Sequence, residues 1–163
     1  MTYIIRKATF QDLPGIREIY EMARQFMRRN GNHSQWGNGD EPEALIEDDV
    51  KKEQLYVLEE DGMIHAVFAF IIGEDPTYLR IEDGNWRSDE PYGAVHRVAS
   101  DGTVRNVLGQ IMDYCKAQIL HLRIDTHEDN KVMQHVIEKS GFRRCGIIYV
   151  PDGSPRIAYE FIK

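Results

Sequence analysis

Only two cysteines, Cys115 and Cys145, occur in the 163 residues, too few to build a disulfide framework. Cys115 falls in a helical pattern and Cys145 at the start of an apolar stretch, so two buried thiols in a reducing compartment are expected. Basic residues are scarce too. Lys and Arg number 20 against 27 Asp and Glu, a formal net charge of −7. That balance excludes a general nucleic-acid binder, which carries a basic excess. No apolar run approaches the roughly 18 residues of a membrane span, and no charged-then-apolar leader precedes the first strand. The expectation is a cytoplasmic protein with neither nucleic acid nor membrane as partner. Repeats and low-complexity tails are absent. Metal-ligand spacing is missing as well. His127-Glu128 is followed one helical turn later by Lys131, where a zinc protease needs His, and the cysteines have no paired spacing. No metal is expected.

What remains is an ordinary globular composition, 42% apolar and 29% charged. The length fits a single domain over 1–163, able to bury about two-thirds of its unfolded surface. Tyr3–Arg6 reads as a short strand. Thr9 opens a helix with capping-box spacing to Asp12. Leu13, Ile16, Ile19, Tyr20, Ala23, Phe26 and Met27 follow at helical intervals, and Arg28-Arg29-Asn30-Gly31 closes the run. A polar loop over 31–42 carries Trp36, and Glu43–Lys52 reads as a second helix. Leu55–Leu58 and Met63–Ile72 form a hairpin around Asp61-Gly62. A second polar loop, 73–89, carries Tyr78 and Trp86. Next come a strand at 92–99, a helix at 107–119, a strand at 121–126 and a helix opened by Asp129-Asn130. A hairpin of 146–150 with 156–161 ends the chain. The order predicts an α/β fold with a mixed central sheet of about seven strands flanked by about four helices.

The segment from His96 to Phe142 is the most informative. A strand feeds a helix through Ser100-Asp-Gly-Thr-Val-Arg-Asn106, a polar turn with one basic residue. Such a turn suits a phosphate, because helix N-terminal N–H groups point outward and the dipole favours an anion. A second strand–helix unit follows, with Asn130 eleven residues before Gly141-Phe142.

This arrangement resembles the GNAT superfamily of N-acetyltransferases, which move an acyl group from acetyl-coenzyme A to an amine. The likeness extends upstream through Tyr3–Thr9 with Asp12-Leu13 and through Leu55–Ile72, so it covers nearly the whole chain. It implies acetyl-coenzyme A as co-substrate and a direct attack by the acceptor amine in a ternary complex. The family's Arg/Gln-x-x-Gly-x-Gly/Ala loop maps onto Thr103, Val104, Arg105, Asn106, Val107 and Leu108, where neither glycine stands. Asn106 substitutes best, since Asn tolerates positive φ, and Arg105 adds a charge-assisted bond to phosphate. An ordinary strand-to-helix turn with a solvated Arg is the plain alternative. The resemblance further implies that backbone groups of Val98, Ala99 and Ser100 pair with the pantetheine amides and that Asn130 meets the cofactor arm. Asn130 equally suits a helix cap.

Many members of that family carry a tyrosine acid three or four residues before the Gly-Phe; here the place holds Ile137 beside Glu138. Three residues are candidates for proton transfer instead: His96 on the fourth strand, His127 at the end of the fifth, and Tyr159 on the last. A carboxylate-rich turn such as Asp125–Asn130 is also a common capping device. Trp36, Tyr78 and Trp86, aromatics in polar loops, are expected to wall an acceptor pocket or to lid the core. The resemblance implies a small-molecule or peptide amine as acceptor, and a homodimer is allowed. The alternative is a non-catalytic acyl-CoA-binding or regulatory module of the same fold.

Overall fold

In the computed structural model, residues 3–29, 31 and 43–163 are described. Among the described residues the expected strands and helices are present, four helices and a seven-stranded sheet. By their internal packing the residues divide into two compact units. One comprises Met1–Phe70 with His96–Val107, the other Ile71–Val95 with Leu108–Lys163.

In the first unit, β1 (Ile4–Lys7) lies antiparallel to β2 (Leu55–Glu60), which pairs with β3 (Met63–Ile72). Asp61 and Gly62 both take positive φ, 52° and 80°, which matches the twist of a two-residue hairpin. The Thr9–Asp12 signal does not start an α-helix. It opens a single 3₁₀ turn, Phe10–Asp12, before α1 (Leu13–Arg29). Asp12 is shared: its carboxylate accepts Thr9 N–H at 2.7 Å and two guanidinium contacts from Arg6 at 2.8 and 2.9 Å. Ile16, Ile19, Tyr20 and Ala23 of α1 pack with Ile46 and Val50 of α2 (Glu43–Lys51). Beneath them lie Leu55, Val57, Val67 and Ala69, alternate residues of β2 and β3, so one sheet face is sealed by helices. Leu58 and Ala66 turn to the opposite face, where Val104 covers them with Tyr3 and Ile5 at the margin.

In the second unit, β4 (Gly93–Ser100) begins parallel to β5 (His121–Thr126), paired over Gly93–Val95 with Leu122–Ile124. β5 then pairs antiparallel with β7 (Pro155–Ile162), and β7 with β6 (Arg143–Tyr149). The helices here are α3 (Val107–Gln118), whose Leu108, Ile111, Met112 and Cys115 are buried, and α4 (Lys131–Lys139). Asn130 caps α4 by accepting Met133 N–H at 3.0 Å, and Gly141 ends it at φ 95°, open to glycine without a Cβ clash. The 73–92 loop is tied down by a bridge between Glu82 and Ile147. There Gly84 passes so close that a Cβ would sit 1.8 Å from the Cys145 carbonyl oxygen.

Candidate functional site

The second half of β4 and the turn after it belong to the first unit. Strand geometry breaks at Arg97, which takes φ 52°, a left-handed conformation that is costly for any residue with a Cβ. Two side chains hold it. Tyr20 donates its hydroxyl to the Arg97 carbonyl at 2.9 Å. Asp49, 1% exposed, accepts Arg97 Nε at 2.8 Å and a terminal nitrogen at 3.0 Å, a bidentate pair. Gln54 Nε2 also donates to Asp49 Oδ1 at 2.7 Å. Beyond the break Ala99 is buried against the α1–α2 core, whereas Val98 and Ser100 are half-buried. His96 is half-buried just before it.

The turn itself is shaped by Asp101. Its Oδ1 accepts Thr103 N–H at 3.0 Å and the Thr103 hydroxyl at 2.6 Å; its Oδ2 accepts His65 Nδ1–H at 2.7 Å. Burial pushes the Asp101 carboxyl up, but the Thr103 bonds and His65 outweigh it and leave it below the ordinary value. Gly102 has φ 80° and Asn106 φ 51°, so the chain reverses twice before α3 begins at Val107. Asn106 therefore adopts the conformation that a glycine would take at this point. Thr103 commits both its donors to Asp101, and Val104 and Leu108 bury their side chains. Arg105 and Asn106 are exposed, as is Thr103. Val107 and Leu108 open the helix, where N–H groups have no intrahelical partner.

In the second unit, His127 and Asn130 share the turn between β5 and α4. His127 is 8% exposed, and its Nδ1 accepts Asp129 N–H at 3.0 Å. The Asp129 carboxylate lies farther from that nitrogen, at 3.5 Å. The shorter contact sets the tautomer, so the imidazole proton sits on Nε2 and His127 is arranged as a donor there. Ile137, at the place of the family tyrosine, is fully buried. Tyr159 is buried in β7; burial and then the Glu138 charge raise its pKa, with Arg144 opposing. Trp36 lies outside the described residues.

Tyr78 and Trp86 do come together. Their rings are 5.2 Å apart, Trp86 Nε1 donates to the Tyr78 carbonyl at 2.8 Å, and the Tyr78 hydroxyl donates to Asp125 at 2.6 Å. With Tyr92 they line a cavity of about 530 Å³ whose remaining walls include Glu74, Asp89, Glu90 and Arg123. The Arg123 guanidinium lies 4.0 Å from the Trp86 ring centre and 4.1 Å from that of Tyr92. It is fixed there by Glu160, fully buried, which also accepts from His121 Nε2 and from Arg87 N–H. Sequence reasoning missed this Glu160 cluster, the Arg97 break and the His65–Asp101 bond. None of the three is local; only the adjoining Asp101-x-Thr103 contact has a local signature, that of an Asx turn.

Among solved structures, an acetyltransferase of the GNAT family from Streptococcus agalactiae is 30% identical, with a TM-score of 0.89 over 99% of this chain and 95% of its own. The chain belongs to the GNAT family of acetyltransferases. A GNAT-family acetyltransferase from Listeria monocytogenes matches 99% of the chain and 95% of its own, with TM-score 0.73 at 14% identity. The ribosomal-protein-S18-alanine N-acetyltransferase of Escherichia coli matches 99% and 94%, with TM-score 0.63, also at 14% identity. These two share the fold alone. No protein-family model and no curated protein matches the chain in sequence. Among the described residues, no group of His, Cys, Asp and Glu stands together as metal ligands, and no helix is long and apolar enough to cross a membrane.

Proposed function

We propose that this family member transfers the acetyl group of acetyl-coenzyme A to a primary amine of a small molecule or peptide. The observation that carries the reading is the left-handed Asn106 at the entrance to α3, in a chain of this family. It turns the following N–H groups toward one side in place of the missing glycines, and the helix dipole adds to their pull on a pyrophosphate. Arg105, exposed beside it, supplies a charge-assisted bond. Backbone groups of Val98, Ala99 and Ser100 add the pantetheine arm as a ligand strand.

In the reaction the neutral amine attacks the thioester carbonyl while both substrates are bound. A C–N bond forms, the C–S bond breaks, the nitrogen gives up a proton and the thiolate gains one. His96 takes the amine proton, directly or through water. His127, its Nδ1 held by Asp129 N–H, offers Nε2–H as a hydrogen-bond donor to the leaving sulfur, and Tyr159, whose pKa burial raises, is the reserve acid. The cavity beside Tyr78 and Trp86 receives the acceptor. Its three carboxylates, Glu74, Asp89 and Glu90, outnumber the single Arg123 guanidinium and favour a cationic amine. Two free, buried cysteines suit a reducing cytoplasm, with burial pushing the Cys115 thiol up to about 12.

The test is turnover against a panel of polyamines, amino-acid amines and peptide N-termini, followed by release of the coenzyme A thiol and by product mass. The reading expects an acetylated amine in at least one class. Binding of acetyl-coenzyme A without turnover on any class would hand the protein to the regulatory-module alternative.

A further inference from the structure

We infer that His65 is a positioning residue: through its bond to Asp101 it sets the shape of the 101–107 turn and thereby the affinity for coenzyme A phosphates. The inference rests on the reading of that turn as the coenzyme A site.

A loop that lacks glycine at positions 103–108 must obtain its geometry from elsewhere, because left-handed backbone is unfavourable for residues with a Cβ. The His65–Asp101 contact supplies a fixed starting point. Asp101 N–H donates to the His65 carbonyl at 3.0 Å, and His65 Nδ1 donates to Asp101 Oδ2 at 2.7 Å. Main chain and side chain thus join the same two residues. The second carboxylate oxygen, Oδ1, is occupied by Thr103 N–H and hydroxyl, and that hydroxyl lies 3.1 Å from His65 Nδ1. Removing His65 frees the carboxylate to rotate, and with it the Thr103 N–H that begins the reversal. The imidazole is itself held: the Tyr3 ring meets it edge-on, 6.5 Å between centroids at 88°. Next along the turn, Val104 is anchored against Leu58 and Ala66. Positions 101, 103 and 104 are therefore fixed before the left-handed Asn106 is reached.

A second consequence is electrostatic. An ionised carboxylate in a turn that receives a pyrophosphate opposes binding, and a donor on its outer oxygen draws its charge away from the anion. His65 acts on the phosphate only through Asp101.

The experiment measures dissociation constants by titration calorimetry for coenzyme A and for pantetheine, which lacks the phosphates, with melting temperature as a fold control. His65→Asn keeps a donor close to the Nδ1 position; His65→Leu removes it. The expected result is coenzyme A affinity within about 3-fold of wild type for His65→Asn and about 10-fold weaker for His65→Leu, with pantetheine unchanged throughout. Should His65→Leu fail to fold, His65→Ala removes the same donor while leaving the Asp101 carboxylate in place and is expected to weaken coenzyme A by about 10-fold. Equal losses for coenzyme A and pantetheine, equal behaviour of the Asn and Leu variants, or unchanged affinity in all of them overturns the inference. Wild-type protein that binds neither ligand overturns the coenzyme A reading and the inference with it.

Discussion

Asp49→Ala is the most revealing single change in the first unit. Arg97 sits in β4 at φ 52°, a conformation that costs roughly 1–2 kcal/mol for a residue with a Cβ. It is kept there by the bidentate pair with Asp49 and by the Tyr20 hydroxyl on its carbonyl. Removing one partner of a buried ion pair costs about 3–5 kcal/mol, because the other charge is stranded. The Arg97 side chain keeps 18% exposure and can reach water, so the low end, about 3 kcal/mol, is expected. For a chain of this size that corresponds to a fall of about 6–12 °C in Tm. Asp49→Asn retains a carbonyl oxygen and should lose roughly half as much. Urea denaturation with an unchanged m-value is the assay. A double-mutant cycle sharpens it. Arg97→Gly alone relieves the backbone but strands Asp49, whereas Arg97→Gly with Asp49→Asn should recover at least about 1 kcal/mol relative to the sum of the single changes. A loss below about 1 kcal/mol for Asp49→Ala, or strict additivity in the cycle, would refute the claim that this pair holds the break in β4.

Three further outcomes are expected. Asn106→Gly should bind coenzyme A as well as wild type or better, while Asn106→Val, strained at φ 51°, should bind about 10-fold more weakly; equal constants would remove this residue from the turn's design. The Arg6 hydrogen bonds, against the opposing effect of burial, hold the Asp12 carboxyl at about 2, below its ordinary 3.8. A depressed folded-state pKa means the stabilisation is present above about pH 4 and is lost as pH falls through about 2, so Asp12→Asn should be less stable than wild type at pH 6, with the difference shrinking steadily toward pH 2 in urea titrations. His96→Ala or His127→Ala should lower kcat by about 10²-fold, for whichever moves the proton, at nearly constant acetyl-coenzyme A affinity; rates within a few-fold for both would show that positioning alone drives transfer.

Much of the fold was legible because its signals are local. The apolar alternation of β3, the Asp61-Gly62 reversal, the run that became β5 and the Asn130 cap each depend on residues within one turn or strand of one another. The start of α1 was misjudged because Thr9 and Asp12 complete a capping interaction within a 3₁₀ turn, and the sequence does not distinguish that turn from a first turn of α-helix. The site divides the same way. Asn106 as the left-handed residue follows from side-chain chemistry alone. Arg97 does not, since its neighbours His96 and Val98 read as plain strand and the groups that hold it, Tyr20 and Asp49, lie far off in the chain. The same distance hides the His65–Asp101 bond and the gathering of His121, Arg123 and Arg87 on Glu160. Tyr78 and Trp86 were conspicuous as aromatics in a polar loop, yet their bonds to each other and to Asp125 required the fold.

The central claim is that the turn entering α3 binds the phosphates of acetyl-coenzyme A, and calorimetric titration of wild type and Arg105→Ala with acetyl-coenzyme A and with acetyl-pantetheine tests it most directly. The account predicts that wild type binds acetyl-coenzyme A more tightly than the fragment, that saturation at one hundred times the dissociation constant adds about 2.7 kcal/mol to stability, and that Arg105→Ala narrows the gap between the two ligands. Equal affinity of wild type for both ligands, or no binding of acetyl-coenzyme A at millimolar concentration, would contradict it.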